Sequence, residues 1–179
     1  MPIESLFWKM SAPSTLPIGA GYGVNFSPDG TIIAVAHNSS PDISVYPWNN
    51  STGFGSKFAN PSTLPSGARN VNFSPDGTII AVSCSVTPYI STYPLNNSTG
   101  FCSKFTNPST LPIGAGHGVA FSPDGTIIAV SHNTTPRISV YPWDNSTGFG
   151  SKFANPSTLP AGNGYGVTFS PDGTIIAVS

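Results

Sequence analysis

Residues 26–35 read FSPDGTIIAV, and the same ten residues return at 73–82, at 121–130 and, followed by a serine, at 169–179. The copies begin 47, 48 and 48 residues apart. A second block, PSTLP, starts at Pro13, Pro61, Pro108 and Pro156. The shorter spacing comes from PSGARNVNF, one residue less than PIGAGYGVNF at the same place in the first unit. A fixed period of this length is the mark of a repeat architecture, in which each unit buries its apolar faces against its neighbours.

Around that block, one unit reads as four short strands and no helix. Strand A is predicted over Tyr22–Phe26, with Val24 and Phe26 on one face. Ser27-Pro28-Asp29-Gly30 is a hairpin turn, because Pro presets φ, Asp bonds its own backbone and Gly accepts positive φ. Strand B, Thr31–Ala36, is apolar at consecutive positions, as a strand covered on both faces must be. Asn38–Pro41 leads to strand C, Ile43–Tyr46, and Asn49–Gly53 leads to strand D, Phe54–Phe58. Asn60–Pro65 returns to the next strand A. Four antiparallel strands repeated every 40 to 50 residues are the pattern of propeller blades. A parallel β-helix is the alternative, but its coils are shorter and carry fewer hairpin signals. The expected fold is therefore an all-β propeller forming one domain over 1–179. Its blades span 22–58, 69–105 and 117–153, and strands A and B of a partial blade span 165–179. An outer strand D lies over 6–10, by its register with PSTLP.

The stretch FSPDGTIIAVAHNSSPDISVYPW resembles the WD-repeat superfamily, in which an FSPDG hairpin leads into strand B and an I-x-V-aromatic strand C. It is still more similar to propeller repeats of phage and bacterial surface proteins, and the likeness covers about residues 6–179. The sequence departs from WD repeats in having a Trp-Asp pair only at Trp143-Asp144, without the Asp–His–Ser/Thr–Trp network. The resemblance thus implies a fold and not a peptide-docking role.

The strand count, D, three blades, then A and B, leaves strand C of a closing blade unaccounted for. Open sheet edges pair with other chains. The expectation is a homo-oligomer or polymer that completes the propeller, whether a ring of about eight blades from two chains, edges completed between subunits, or a longer parent chain.

Composition narrows the function. Charged residues are 7% of the chain and the net charge is −1, with six dispersed cations, so nothing clusters for nucleic acid. No apolar run reaches the ~18 residues of a membrane span, and MPIESLFWKM lacks the pattern of a signal peptide. Cys84 and Cys102 occur in the second unit alone, where neighbouring units carry His37 and His132, or Gly55 and Gly150, so a framework disulfide is not expected.

Candidate sites follow from the repeat. His37, His132 and His117 would be spread around a ring and do not converge as metal ligands. Asp29, Asp76, Asp124 and Asp172 recur because their turn recurs. No nucleophile elbow or Ser/His/Asp set is present, so no catalytic residue, metal or cofactor is assigned and the chain is not expected to be an enzyme. Tyr22, His117, Tyr165, Trp48 and Trp143 are the candidate surface-binding or subunit-contact residues, since rings on a Ser/Thr/Asn-rich surface suit sugars or protein. Tyr46, Tyr93 and Tyr141 are expected between blades. Asn38, Asn133, Asn50, Asn97 and Asn145 head Asn-x-Ser/Thr tripeptides in turns and are candidate glycosylation sites, whereas Asn25 and Asn72 fall in strand A. The leading expectation is a non-catalytic structural or adhesive module of a virion or extracellular surface, binding glycan or protein. A self-assembling filament subunit comes second and a lactonase-like propeller hydrolase third.

Overall fold

Why each sheet forms is visible in its first turn. Ser27 Oγ donates to Asp29 Oδ1 at 2.6 Å, and Asp29 accepts from the amide and hydroxyl of Thr31 at 3.1 and 2.8 Å. The Ile32 amide donates back to Ser27 Oγ at 3.0 Å, while Gly30 holds φ at 71°. Four donors are satisfied within six residues, which fixes the hairpin register. The same network is rebuilt at Ser74–Ile79, Ser122–Ile127 and Ser170–Ile175.

The structure, a computed structural model, describes residues 10–179. Among the described residues, fourteen strands are arranged as three four-stranded antiparallel sheets and one two-stranded sheet. The first sheet holds β1 (Gly21–Phe26), β2 (Ile32–His37), β3 (Ile43–Asn49) and β4 (Gly53–Phe54), in that spatial order. The second repeats it with β5 (Ala68–Phe73), β6 (Ile79–Cys84), β7 (Ile90–Asn96) and β8 (Gly100–Phe101). The third comprises β9 (Gly116–Phe121), β10 (Ile127–His132), β11 (Ile138–Asp144) and β12 (Gly148–Phe149). Then come β13 (Val167–Phe169) and β14 (Ile176–Val178), paired with each other.

Two boundaries differ from the sequence reading. Strand C runs on through Pro47 to Asn49 rather than stopping at Tyr46, and strand D shrinks to two residues. Pro47 is tolerated because its carbonyl, not a missing N–H, meets the outer neighbour: Gly55 N donates to Pro47 O at 2.9 Å. The segment expected as the rest of strand D follows β3 with single bonds such as Phe58 N to Val45 O at 2.9 Å. Of the outer strand expected over 6–10, only Met10 is among the described residues. It lies against Gly53 as Phe58 lies against Gly100 and Phe105 against Gly148.

The core sits between sheets. Ile32, Ala34 and Val45 of the first sheet pack on Val71, Phe73, Ile80, Val82 and Tyr93 of the second. Ile79, Ala81 and Ile90 then meet Val119, Phe121, Ile128, Val130 and Tyr141 of the third. Strand B therefore presents one apolar set to each neighbour, as its unbroken hydrophobic run requires. Apolar burial at roughly 25 cal/mol per Å² is what holds the sheets together, since neighbouring sheets share few backbone hydrogen bonds. The stack does not close. Val24 and Phe26 are 63% and 45% exposed at its start, where their counterparts Val71 and Phe73 are at 1% and 6%. The two cysteines carry free thiols, Cys84 buried and Cys102 exposed.

Candidate functional site

Strand A enters each sheet through a β-bulge. Gly21 pairs with His37 and Gly23 with Ala36, so Tyr22 is the extra residue. Ala68 and Asn70 flank Arg69 in the same way, and Gly116 and Gly118 flank His117. At Tyr165 the amides of Tyr165 and Gly166 both donate to Ser179 O, at 2.6 and 3.2 Å. A bulge re-aims the side chain of its extra residue. Four such side chains are thereby set along one rim, at the end of the inner strands where the B–C turns also lie.

The glycines beside the extra residues let these strands approach. A β-carbon on Gly23 would meet the Asn70 Cα at 2.9 Å and the Arg69 carbonyl oxygen at 3.1 Å. The Arg69 guanidinium lies 4.6 Å from the centre of the Tyr22 ring, within cation–π range. His117 and Tyr165 meet edge to face, with ring centres 5.1 Å apart. Burial, and then the positive charge of Arg69, hold the His117 imidazole below the ordinary histidine range, so it is neutral at pH 7. Arg69 Nε is buried without a hydrogen-bond partner. Beyond Tyr165 the rim is extended by Arg137, which donates to Asn163 Oδ1 at 2.8 Å, and by Asn163 Nδ2, 3.3 Å from the Tyr165 hydroxyl.

Of the residues singled out from sequence, Tyr22, His117 and Tyr165 are brought into this row and the others are not. Trp143 is 5% exposed, enclosed by Phe105, Phe121 and Phe149 with ring centres 5.1, 5.7 and 4.9 Å away. Its indole donates to Asn145 Oδ1 at 2.7 Å. Trp48 repeats that pattern with Phe26, Phe54 and Asn50, but at the open face of the first sheet. The turn asparagines are engaged too. Asn145 Nδ2 donates to Asp76 Oδ2 of the preceding sheet at 2.7 Å, Asn97 Nδ2 stands 3.5 Å from Asp29 Oδ2, and Asn38 Oδ1 accepts from Ala20 N at 2.9 Å. Asn133 caps the equivalent turn, its carbonyl accepting from Arg137.

His37 and His132 bond the turns beside them, Nδ1 to the carbonyls of Ser39 and Thr134 at 2.8 and 2.7 Å and Nε2 to Ser44 and Ser139 at 3.1 Å. The turn aspartates are committed to their hairpins. Serine hydroxyls first, then threonine amides and hydroxyls, hold Asp29, Asp124 and Asp172 below the usual carboxylate range, Asp172 down to about 2. No group of three or more His, Cys, Asp and Glu able to hold a metal occurs among the described residues.

Arg69, Arg137 and Asn163 were not visible as site residues in the sequence. Arg69 stands where the first, third and fourth units have Tyr22, His117 and Tyr165, but the residue missing from PSGARNVNF obscures that alignment.

No family model and no curated protein matches the chain. Among solved structures it is similar to a putative 6-phosphogluconolactonase from Bacteroides uniformis ATCC 8492, with a TM-score of 0.68 and 18% identity over 88% of this chain and 46% of that one. It is also similar to the hydrazine synthase of Kuenenia stuttgartiensis, with a TM-score of 0.66 and 14% identity over 94% of this chain and 45% of that one. The fold is that of a β-propeller. At these identities the likeness shows the fold alone, and the chain spans about half the length of either structure.

The expectation of a non-catalytic structural or adhesive module, or of a filament subunit, is corrected here. One solved propeller that the chain resembles carries the name of a putative lactonase, a hydrolase, and neither of the two names given above is that of an adhesin or a filament protein.

Proposed function

We propose that the rim of Tyr22, Arg69, His117 and Tyr165 binds a small, hydroxyl-rich anion of the sugar-acid or sugar-lactone class. The observation that carries this reading is the set of four bulge residues that places a cation and a neutral imidazole among tyrosine rings. An aromatic face takes the C–H face of a sugar, and the tyrosine hydroxyls and the imidazole exchange hydrogen bonds with its hydroxyls. The guanidinium, 4.6 Å from the centre of the Tyr22 ring, supplies a planar donor for a carboxylate or phosphate. The name of one similar solved structure, a putative 6-phosphogluconolactonase, fits that class and supports the choice of probe.

Titration calorimetry of the full chain with 6-phosphogluconate tests it. Saturable binding is expected, weakened at least tenfold by Arg69→Ala and by an excess of competing inorganic phosphate. Absence of binding, or equal affinity in Arg69→Ala, overturns the reading.

One observation favours a second reading, hydrolysis of a lactone at the same rim. The His117 imidazole stands on the rim edge to face with Tyr165, and burial and the charge of Arg69 hold it below the ordinary histidine range, so it is able to accept a proton from water. Water oxygen would add to the lactone carbonyl, the ring C–O bond would break, and the proton held by His117 would pass to the departing alkoxide. Acid release followed by pH-stat, absent in His117→Tyr, separates turnover from binding.

A further inference from the structure

The B–C turns bring a second row of side chains to the rim. Each turn ends on a residue with left-handed backbone, Asp42 at φ 65°, Tyr89 at 67° and Arg137 at 72°. Aspartate takes that conformation readily, whereas bulky residues such as tyrosine and arginine take it at a cost, and residues so held gather at ligand clamps. The copies differ in charge at this position, as they do at the bulge. Each of the three faces the entry of strand A into the next sheet. Asp42 Oδ1 accepts from Gly67 N at 2.9 Å, and a β-carbon on Gly116 or Gly164 would meet the carbonyl oxygen of Tyr89 or Arg137 at 2.5 or 2.6 Å.

Arg137 is the cation of this row, and its guanidinium is anchored on one side. Nη1 donates to Asn133 O of its own turn and to Asn163 Oδ1 at 2.8 Å, which uses both hydrogens of that nitrogen. Nε and Nη2 bond no group among the described residues. Together they form the fork of parallel N–H donors that a carboxylate or phosphate takes bidentately. The anchoring holds the fork in place before a ligand arrives, so less order has to be imposed on binding. The described carboxylates are spent elsewhere. Asp29, Asp76, Asp124 and Asp172 accept from their own hairpin turns, Asp144 from the C–D turn and Asp42 from Gly67. Along the rim, Arg69 neighbours His117 from the second sheet, and Asn163 Nδ2, 3.3 Å from the Tyr165 hydroxyl, links Arg137 to Tyr165. The His117–Tyr165 pair thus lies between two guanidinium groups.

We infer that Arg137 is a second anion-binding residue of the rim, and that the ligand carries an anionic group at each end, one on Arg69 and one on the Nε–Nη2 fork of Arg137. The hydroxyl-bearing middle of the ligand lies over His117 and Tyr165. The inference rests on the ligand reading given above and narrows it, from sugar acids at large to those with a second anionic group, a phosphate ester or a second carboxylate. A sugar with one anionic end fills one position and leaves the other guanidinium to water. Asp42 and Tyr89 hold the equivalent places beside the other sheets, and neither attracts an anion, so the second group has one place to go.

The test compares three probes by titration calorimetry on the full chain at one ionic strength. 6-Phosphogluconate has an anionic group at each end, whereas gluconate and glucose 6-phosphate have one each. 6-Phosphogluconate should bind about tenfold or more tightly than either, the scale of one charge-assisted hydrogen bond. Arg137→Gln should abolish most of that ratio, and Arg137→Lys, which keeps the charge and loses the fork, should retain part of it. Since Arg137 sits in a turn, Asn163→Asp is the second variant. It keeps the exposed Oδ1 acceptor while its carboxylate pairs with the guanidinium, so the sheet circular dichroism should persist and the ratio should fall as in Arg137→Gln. Equal affinity for the three probes, or a ratio unchanged in Arg137→Gln and Asn163→Asp, overturns the second position and leaves the ligand reading standing. Failure of all three probes to bind overturns both.

Discussion

Replacing Tyr93 by phenylalanine isolates the contact that repeats in every full sheet. The Tyr93 side chain is fully buried, its ring meets Phe101 edge to face at 5.4 Å, and its hydroxyl donates to Thr63 O at 2.8 Å. Burial pushes the phenol well above its ordinary pKa, so it remains a donor across the neutral range. Phenylalanine keeps the ring, so no cavity opens and the cost is confined to the hydrogen bond. A net bond contributes about 0.5–1.5 kcal/mol, and a buried acceptor left alone costs about 1–3 kcal/mol. The bond is partly buried, so water reaches the Thr63 carbonyl in the variant and the expected loss is about 1–1.5 kcal/mol. At roughly 2–4 °C per kcal/mol for a domain of this size, the midpoint should fall by about 2–6 °C. Urea unfolding followed by tryptophan fluorescence reads the same quantity as a shift in midpoint at constant m. Tyr46→Phe and Tyr141→Phe should cost similar amounts, and the triple variant close to their sum, because the three bonds lie in separate sheets and share no partner. If all three single variants fall within ~0.3 kcal/mol of the parent, the tyrosine–threonine bond is not part of what seats one sheet on the next.

Two other perturbations carry their own controls. Burial depresses the His132 imidazole, so in the window between its folded value and the ~6.5 of an unfolded histidine the unfolded chain binds more protons. Stability should be complete above about pH 6.5 and decline as pH falls through that window, with His117 adding a contribution of the same sign. His132→Cys, the residue the second unit carries as Cys84, should flatten that decline in urea titrations between pH 7.5 and 5, and an unchanged slope would contradict the assignment. Gly23→Ala should cost about 1–3 kcal/mol, because the new carbon meets the backbone of β5 at 2.9–3.1 Å. Gly162→Ala, with nothing within 4 Å, should be close to neutral in the same thermal melts, and equal losses in the two would refute the steric reading.

What was legible in the sequence was local. The Ser-Pro-Asp-Gly turn dictates its own hydrogen bonds within six residues, and strand B announces two buried faces by being apolar at consecutive positions. What was illegible depends on partners far along the chain. Trp143, next to a turn, reads as an edge residue, yet Phe105 from the preceding sheet closes over it. After Phe54 and its counterparts, strand D keeps only single bonds to strand C and places Phe58 on Gly100 of the next sheet. The rim was half legible. Tyr22, His117 and Tyr165 stood out as aromatic positions before strand A, but the bulge that turns them to one side is a matter of register. Sequence shows a Gly-x-Gly and not which residue is left unpaired.

The distribution of differences among the copies bears on where chemistry resides. The turn residues are the same in every unit, since each makes bonds that no other side chain reproduces at that spacing. The slot beside the strand C proline takes Trp48, Leu95 or Trp143, any of which fills an inter-sheet volume. The bulge position behaves differently again, holding three residue types, tyrosine at Tyr22 and Tyr165, arginine at Arg69 and histidine at His117, which differ in charge, shape and hydrogen-bonding capacity. A rim with one residue type at each repeat would offer several weak and equivalent positions. Side chains of three kinds, in direct contact between the first and second sheets and between the third sheet and the β13–β14 pair, make a single asymmetric surface from a symmetric frame. An asymmetric ligand requires such a surface, and the inter-sheet packing does not, since the flanking glycines already allow the inner strands to approach.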